Sequence, residues 1–399
     1  MDKLSQETLS HICSFLEKKT LRRFRLVCKR FSDVGAPYIC TELWIKMTYN
    51  DLQRLFNFSR QSCLAQGLRS LHYAPIGLKC PRNRDEINVP RHRGIDWLCN
   101  DEMSTLKKNQ DEQYEIMERS SDFMCLFYTL TKFPRLRHIF WYFGKENKDH
   151  VDPDTHAGTR HLDVLFGVIK ETGADIKGLT LQNLDWHYFY DLDNDDLKTL
   201  FEPVAKLEWL DITLDNRGSL GNLDIQYEYV FYHTRMENGT LRKCLQTLAK
   251  LHTLKVSFTS LSGDWDAENT PLNQIVPSDF TWTYLKTLRL AHVTSDRQEL
   301  MEFLLRHKET LRSLCLRNVT LHNTSWIPLL AEFREKLYLT APCVCGALTS
   351  FSENGEWFQF WDLGTENKDL FPQVNKYITR NGEVSPDMEC PLTEENTIN

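Results

Sequence analysis

Residues 311–316, LRSLCL, contain the pattern that decides the fold, with leucine at the first, fourth and sixth positions of a six-residue phrase. The phrase returns with conservative replacements at six earlier places. These copies begin at Leu68, Leu136, Ile176, Leu207, Leu251 and Leu285. Side chains two residues apart on a strand point to the same face, so the fourth and sixth positions should point inward. A degenerate copy, Leu337-x-Leu339, is expected to close the series.

The segment between the last two copies predicts what connects the strands. Ser295 and Gln298 have the spacing of a helix capping box. A helical stripe follows at Leu300, Phe303, Leu304 and His307. This strand–loop–helix–strand unit predicts an α/β (α+β repeat) fold, an irregular leucine-rich-repeat-like solenoid. We expect His307 to be a partly buried packing residue rather than a ligand. Val319 stands at the ninth position, where such repeats commonly have Asn or Cys, so no asparagine ladder is expected there.

The spacing of the copies is uneven and predicts insertions. Residues 75–113 are rich in proline and charge, and residues 215–240 surround an aromatic patch, so both are expected to be inserted loops. Beyond Thr340 the pattern ends. A C-terminal cap is predicted from four aromatic residues, Trp357, Phe358, Phe360 and Trp361, and residues 381–399 should fray. The repeat region is therefore expected to span 49–345, with a cap and tail over 346–399.

The N-terminal stretch 4–31, LSQETLSHICSFLEKKTLRRFRLVCKRF, predicts two or three short amphipathic helices. Ser5 is the expected N-cap, and Leu4 and Leu9 have the spacing of a hydrophobic staple. A second helix is expected to begin at Thr20. The two apolar stripes comprise Leu9, Ile12, Cys13 and Leu16, then Leu21, Phe24, Val27, Cys28 and Phe31. Helices this short cannot enclose a stable core alone, so other residues or a partner must cover them.

This stretch resembles an F-box, most specifically in the run from Leu26 to Phe31, although the family usually has proline where Ser5 stands. The resemblance implies an F-box over residues 1–48 that docks on the Skp-type adaptor of a cullin–RING ubiquitin ligase. It further implies an adaptor-binding set comprising Leu4, Ser5, Leu9, Ile12, Leu16, Leu21, Leu26, Val27, Cys28, Phe31 and Trp44.

The whole layout is similar to the leucine-rich-repeat F-box proteins that fungi carry in large families. The likeness is closest over 302–314 and at Tyr377-Ile378 and Pro391-Leu392-Thr393. It implies a non-catalytic substrate-recognition subunit of a Skp–cullin–F-box ubiquitin ligase, whose repeat region binds a protein substrate. The alternative is a non-catalytic repeat scaffold that acts outside a cullin ligase.

Outward positions of the predicted strands supply candidate substrate-binding residues. The early strands offer aromatic side chains and the later strands single cations, both of which are frequent in binding hot spots. The candidates are Phe140, Tyr142, Trp209, Lys255, Arg289 and Arg317. We hypothesise a partner with an apolar anchor beside an acidic or phosphorylated segment. The alternative is that inserted loops cover the three aromatic residues as ordinary core.

Composition narrows the remaining classes. The net charge is −7, while residues 1–45 carry eight basic against five acidic residues, so the rest of the chain is acidic and nucleic-acid binding is not expected. No apolar run approaches the ~20 residues of a membrane span, and no secretory leader is recognisable, so we expect a cytoplasmic or nuclear protein.

The reactive residues predict neither a cofactor nor catalysis. The twelve cysteines are scattered, and Cys343-x-Cys345 has no second pair to complete a zinc site, so structural thiols and no metal are expected. No glycine-rich phosphate loop or nucleophile motif occurs either.

Overall fold

The computed structural model describes residues 4–74, 108, 111–142, 157–189, 194–215, 234, 236–258, 269–352, 358–364, 369–379 and 389–393. The two predicted inserted loops, Trp357 and the tail 381–399 lie largely outside these residues. Within the first predicted loop, residues 111–113 instead belong to a helix that continues to 118. The chain forms two compact units, Met1–Glu146 with Arg160–Thr180, and Asn147–Thr159 with Leu181–Asn399.

Three short helices open the first unit: α1 (Gln6–Phe15), α2 (Lys18–Arg25) and α3 (Lys29–Ile39). The predicted N-cap is confirmed, because the Ser5 hydroxyl accepts a hydrogen bond from the Thr8 amide at 3.1 Å. The start predicted at Thr20 is wrong, since α2 begins at Lys18 with Glu17 as its N-cap residue. The extended backbone of Leu16 and Glu17 ends one helix and starts the next without a longer loop.

These helices enclose a small core of their own. Its buried members are Leu9, Cys13, Leu21, Phe31 and Val34, and Leu4, Leu16, Phe24, Tyr38 and Ile39 pack around them. The rings of Phe24 and Phe31 stack at 4.4 Å between centroids. Gly67 lies against α3, where an added Cβ would stand 1.9 Å from the Pro37 carbonyl oxygen, so only glycine fits this approach.

The first unit contains one strand that comes before the first phrase of the sequence pattern. Parallel strands β1 (Glu42–Lys46), β2 (Ser70–Ala74) and β3 (His138–Tyr142) pair in that order, and β4 (Gly178–Asp185) begins in this unit. The accompanying helices are Tyr49–Ser59, Ser62–Ala65, Ser121–Leu130 and Ala157–Thr172. Strand β1 is a repeat that the pattern missed, because Cys40 occupies the first position of its phrase.

The second unit continues the repeat. Its strands are β5 (Trp209–Asp215), β6 (Thr253–Phe258), β7 (Thr270–Pro271), β8 (Thr287–Asp296), β9 (Ser313–His322), β10 (Ala341–Phe351) and β11 (Phe358–Asp362). Strands β5, β6, β8, β9 and β10 are successive parallel neighbours, and β7 pairs with β8. The helices are Asn194–Thr199, Thr240–Gln246, Leu272–Ile275, Arg297–Arg306, Trp326–Lys336 and Leu370–Ile378, with short 3₁₀ turns at Trp186–Phe189 and Glu202–Val204.

The predicted repeat pattern is confirmed strand by strand. In each of the seven phrases a strand begins at the third position. Every side chain at a fourth or sixth position is at most 1% exposed. The chain therefore has the predicted α/β fold, a three-helix N-terminal module followed by leucine-rich-repeat-like units.

The end of the repeat differs from the prediction. Strand β10 continues the parallel series past Thr340, with Pro342 and Val344 opposite Leu314 and Leu316. Leu339, the second leucine of the expected degenerate copy, therefore holds the first position of the last phrase. The antiparallel strand β11 then follows, with Trp361 fully buried. The boundary expected at 345/346 falls inside β10, and the division into three domains stays a prediction.

The helix Arg297–Arg306 is capped one residue later than predicted. A carboxylate oxygen of Asp296 accepts from the Glu299 amide at 2.8 Å, whereas the Ser295 hydroxyl donates to the Glu299 side chain. His307 is the packing residue that the sequence predicted. It is buried, its Nε2 accepts from the Trp282 amide at 3.1 Å, and its Nδ1 lies 2.9 Å from a backbone carbonyl oxygen of the same helix.

A polar ladder links neighbouring repeats of the second unit. The eighth position of several phrases has positive φ, with values of 59° at His292, 52° at Asn318 and 73° at Gly346. The Asn318 amide nitrogen donates to His292 Nε2 at 3.0 Å, and its oxygen accepts from the Ala347 amide at 2.9 Å. Val319 at the ninth position is buried and has no polar side-chain atom with which to form a ladder. The ladder residue is instead Asn318, one position earlier, beside the point where the register between β9 and β10 shifts.

Candidate functional site

Large apolar side chains remain exposed on the N-terminal module. Ile12 is 37% exposed, Phe15 76%, Leu26 86% and Val27 67%. We call these four residues the N-terminal apolar patch. The first two lie on α1, and the other two form the link between α2 and α3. Exposed apolar clusters of this kind mark interaction sites more often than ordinary surface.

The predicted adaptor-binding residues divide into three groups by burial. Leu9, Leu21 and Phe31 are buried in the core of the module. Leu4, Leu16 and Trp44 are half-buried, and Ser5, Ile12, Leu26, Val27 and Cys28 are exposed. Periodicity could not separate the first group from the last, because apolar residues face both the interior and the solvent. Phe15 was missed, although its place three residues after Ile12 on α1 was the available signal.

Trp44 belongs to a different surface. It lies on β1, and its ring stacks on His72 at 3.9 Å, which in turn stacks on Phe140 at 4.1 Å. Tyr142 completes the group, since its hydroxyl lies 3.2 Å from His72 Nδ1. We call Trp44, His72, Phe140 and Tyr142 the aromatic row. Two predicted substrate-binding residues, Phe140 and Tyr142, are thus half-buried in this row on the outward face of the first unit's strands.

The other predicted substrate-binding residues lie on the strands of the second unit. Trp209 is 38% exposed, so it is not ordinary core. Lys255 Nζ lies 4.6 Å from the Trp209 ring centroid and 3.2 Å from a carboxylate oxygen of Asp211. Asp211 offsets this charge, whereas Arg289 lies on β8 and Arg317 on β9 at the outward positions that follow.

Three thiols meet beside these two arginines. The sulfurs of Cys315, Cys343 and Cys345 all lie within 4.8 Å of one another, and those of Cys343 and Cys345 are 3.8 Å apart. Cys315 lies directly opposite Cys343 in the parallel register of β9 and β10. The neighbouring strand therefore supplies a third thiol to the pair at which the sequence predicted no metal site. Aligning the fifth positions of the last two phrases was the signal that could have found it.

The arginines and the neighbouring thiols shift the pKa values of the cluster. Hydrogen bonds from the other two thiols lower the pKa of Cys343, and the nearby guanidinium groups of Arg289 and Arg317 lower it further. The pKa of Cys345 is raised because its neighbours interact with its protonated form.

Comparison with known proteins identifies the N-terminal module. Residues 1–35 match the F-box domain family, so the module is an F-box domain. Together with the repeat geometry above, this makes the chain an F-box protein with a leucine-rich-repeat-like region. F-box domains generally bind Skp-type adaptors, and F-box proteins are typically non-catalytic substrate adaptors.

Two further comparisons complete the findings. The chain is similar to the leucine-rich repeat-containing protein LegL7 from Legionella pneumophila, with 12% identity and a TM-score of 0.30 over 86% of this chain and 99% of that one. No curated protein matches the sequence. Across the helices that the structure describes, none combines the length and apolar character needed to cross a bilayer.

Proposed function

We propose that this protein is the substrate-recognition subunit of a Skp–cullin–F-box ubiquitin ligase. The observation that carries the proposal is the N-terminal apolar patch on an F-box domain that already has its own filled core. Covering a fully exposed Leu or Phe contributes about 1.5–3 kcal/mol, so burial of this patch against the adaptor would stabilise the interface. The buried residues Leu9, Leu21 and Phe31 act by holding these helices in place.

The strands of each unit supply a substrate-binding face. In the first unit the aromatic row offers a flat stacking surface for an apolar anchor. In the second unit Trp209 offers an aromatic anchor, and Arg289 and Arg317 favour an acidic or phosphorylated segment. Aromatic and arginine side chains contribute most to protein interfaces, which supports a recognition role for both faces. The protein then acts by raising the effective concentration of substrate near the ubiquitin-charged enzyme.

The adaptor step is tested by co-purification of the full chain with adaptor and cullin. The double variant Ile12→Asp with Leu26→Asp places two charges in the patch and should lose both proteins. The control Tyr284→Asp places a charge at an exposed apolar side chain elsewhere and should retain them. Equal recovery of adaptor with all three proteins would contradict the proposal. Recovery of adaptor without cullin from the wild type would favour the alternative, a scaffold outside a cullin ligase.

The substrate step needs variants that leave the F-box domain intact. Trp209→Ala with Arg317→Ala should keep adaptor binding and reduce ubiquitination of those proteins whose modification depends on the wild-type chain. Phe140→Ala tests the aromatic row in the same way. If both variants modify the same proteins as the wild type, the repeat strands are not the substrate-binding surface.

A further inference from the structure

The thiols of Cys315, Cys343 and Cys345 have the arrangement of a metal site rather than of separate core residues. Positions five and seven of a phrase point outward, so all three side chains lie on the same strand face as Arg289 and Arg317. None of the three is fully buried, and an ion could therefore reach them from solvent. Inward positions of the same strands hold apolar side chains such as Leu316 and Val344.

The sulfur spacing matches tetrahedral coordination. Two thiolates bound at about 2.3 Å to one tetrahedral zinc ion stand about 3.8 Å apart. The Cys343 and Cys345 sulfurs are separated by 3.8 Å, and the third sulfur lies within 4.8 Å of both. Closing the remaining gap needs a shift of at most about 1 Å in the Cys315 sulfur, which a χ1 rotation of about 35° within its staggered well supplies.

The surrounding charge is suited to a bound thiolate complex. Three thiolates and one divalent cation carry a net charge of −1, which a neighbouring guanidinium group offsets. Arg289 lies opposite Cys315 in register, and its Nε is buried with no hydrogen-bond partner among the described residues. A metal-bound thiolate would accept a hydrogen bond from this N–H, and that bond would remove the free-energy cost of a buried donor without a partner.

We propose that Cys315, Cys343 and Cys345 bind one zinc ion on the strand face of the second unit. The fourth coordination position is open, because the described residues contribute only these three metal-binding side chains to the cluster. Arg289 and Arg317 hold the complex from outside the coordination sphere. This inference does not depend on the adaptor-binding proposal, since the cluster and the F-box domain belong to different units.

A disulfide is the competing chemistry for close thiols. Cys315 and Cys343 are directly opposite in parallel strands, which lie about 4.8 Å apart, a separation that a disulfide also permits. A disulfide would use two of the thiols and leave the third unpaired. Zinc binding uses all three, so the number of thiols protected per chain separates the two.

The test uses the full chain purified with fresh reductant and reconstituted with zinc, followed by removal of excess metal with a weak chelator. Bound zinc is measured by mass spectrometry, and cobalt substitution reports thiolate ligands through charge-transfer absorption. Cys315→Ser, Cys343→Ser and Cys345→Ser are compared with Cys63→Ser, which changes an exposed thiol outside the cluster. Circular dichroism checks that each variant is folded.

We expect one zinc per wild-type and Cys63→Ser chain, three more thiols protected from alkylation with zinc than without it, and loss of zinc from each folded cluster variant. Arg289→Gln should weaken zinc binding about 10-fold as an outer-sphere change. Zinc that the chelator removes equally from all proteins would overturn the proposal. An intact mass two hydrogens lower, with two of the cluster cysteines joined, would assign the thiols to a disulfide instead.

Discussion

The ladder residue Asn318 and the adjacent Gly346 should be strongly coupled energetically. An added Cβ at Gly346 would stand 2.0 Å from the Asn318 side-chain oxygen, the atom that accepts from the Ala347 amide. Gly346 also has φ of 73°, where an alanine is strained. The substitution Gly346→Ala therefore adds backbone strain and displaces Asn318 from both of its hydrogen bonds.

The magnitudes follow from the contacts. Asn318→Gly keeps the positive φ accessible and removes the two ladder bonds, which should lower the free energy of unfolding by about 2 kcal/mol. Gly346→Ala should lower it by about 3.5 kcal/mol, of which about 1.5 is strain and the rest the same two bonds. The double variant loses the bonds only once. It should therefore lose about 3.5 kcal/mol rather than the sum of about 5.5.

Urea unfolding of the four proteins in the cycle, followed by tryptophan fluorescence, measures this coupling. Equal denaturant slopes are needed for the comparison of the four midpoints. Losses that add within about 0.5 kcal/mol would refute the reasoning, because the clash with Asn318 would then not be the source of the cost. Val319→Ala serves as a contrast. It removes buried methyl groups beside the ladder and should show no such coupling with Gly346→Ala.

Three further outcomes are expected. Leu26→Ala should leave the unfolding free energy within about 0.5 kcal/mol of wild type and raise the adaptor Kd, measured by calorimetry, about 10- to 100-fold. Leu9→Ala should instead lower the unfolding free energy by about 2–5 kcal/mol. The reverse pattern would show that Leu9 contacts the adaptor and that Leu26 stabilises the fold. Burial lowers the pKa of His307 in the folded state, so its contribution is complete above the unfolded pKa of 6.5 and is lost as the pH falls from there toward the folded pKa. Midpoints of urea unfolding against pH should show this decline, and His307→Gln should flatten it. Arg160 donates two hydrogen bonds, of 2.9 and 3.0 Å, to the buried carboxylate of Asp122. Arg160→Met should therefore lower the free energy of unfolding by about 3–5 kcal/mol, and adding Asp122→Asn should restore part of that loss. An unchanged unfolding midpoint for Arg160→Met would show that the pair is not stabilising.

Much of the fold could be predicted because its physical cause is local. The alternation of inward leucines in each phrase placed seven strands, and the Ser5 hydroxyl placed the first helix start. Errors occurred where the local pattern was weak. The first strand and the last parallel strand were missed because Cys40 and Pro342 stand where their phrases should have leucine. Both strands form because they pair with the strand of a neighbouring repeat.

The candidate sites depend more on tertiary contacts. The resemblance of residues 4–31 to the F-box family gave the class of the N-terminal module. The sequence by itself determined that short amphipathic helices precede leucine-rich-repeat-like strands, because amphipathic periodicity shows which side chains share one face of an element. It could not distinguish the buried Leu9 from the exposed Leu26, since solvent exposure depends on how three helices pack. Only the tertiary structure brought Cys315 to Cys343 and Cys345, because strand register joins residues that are 28 positions apart in the chain.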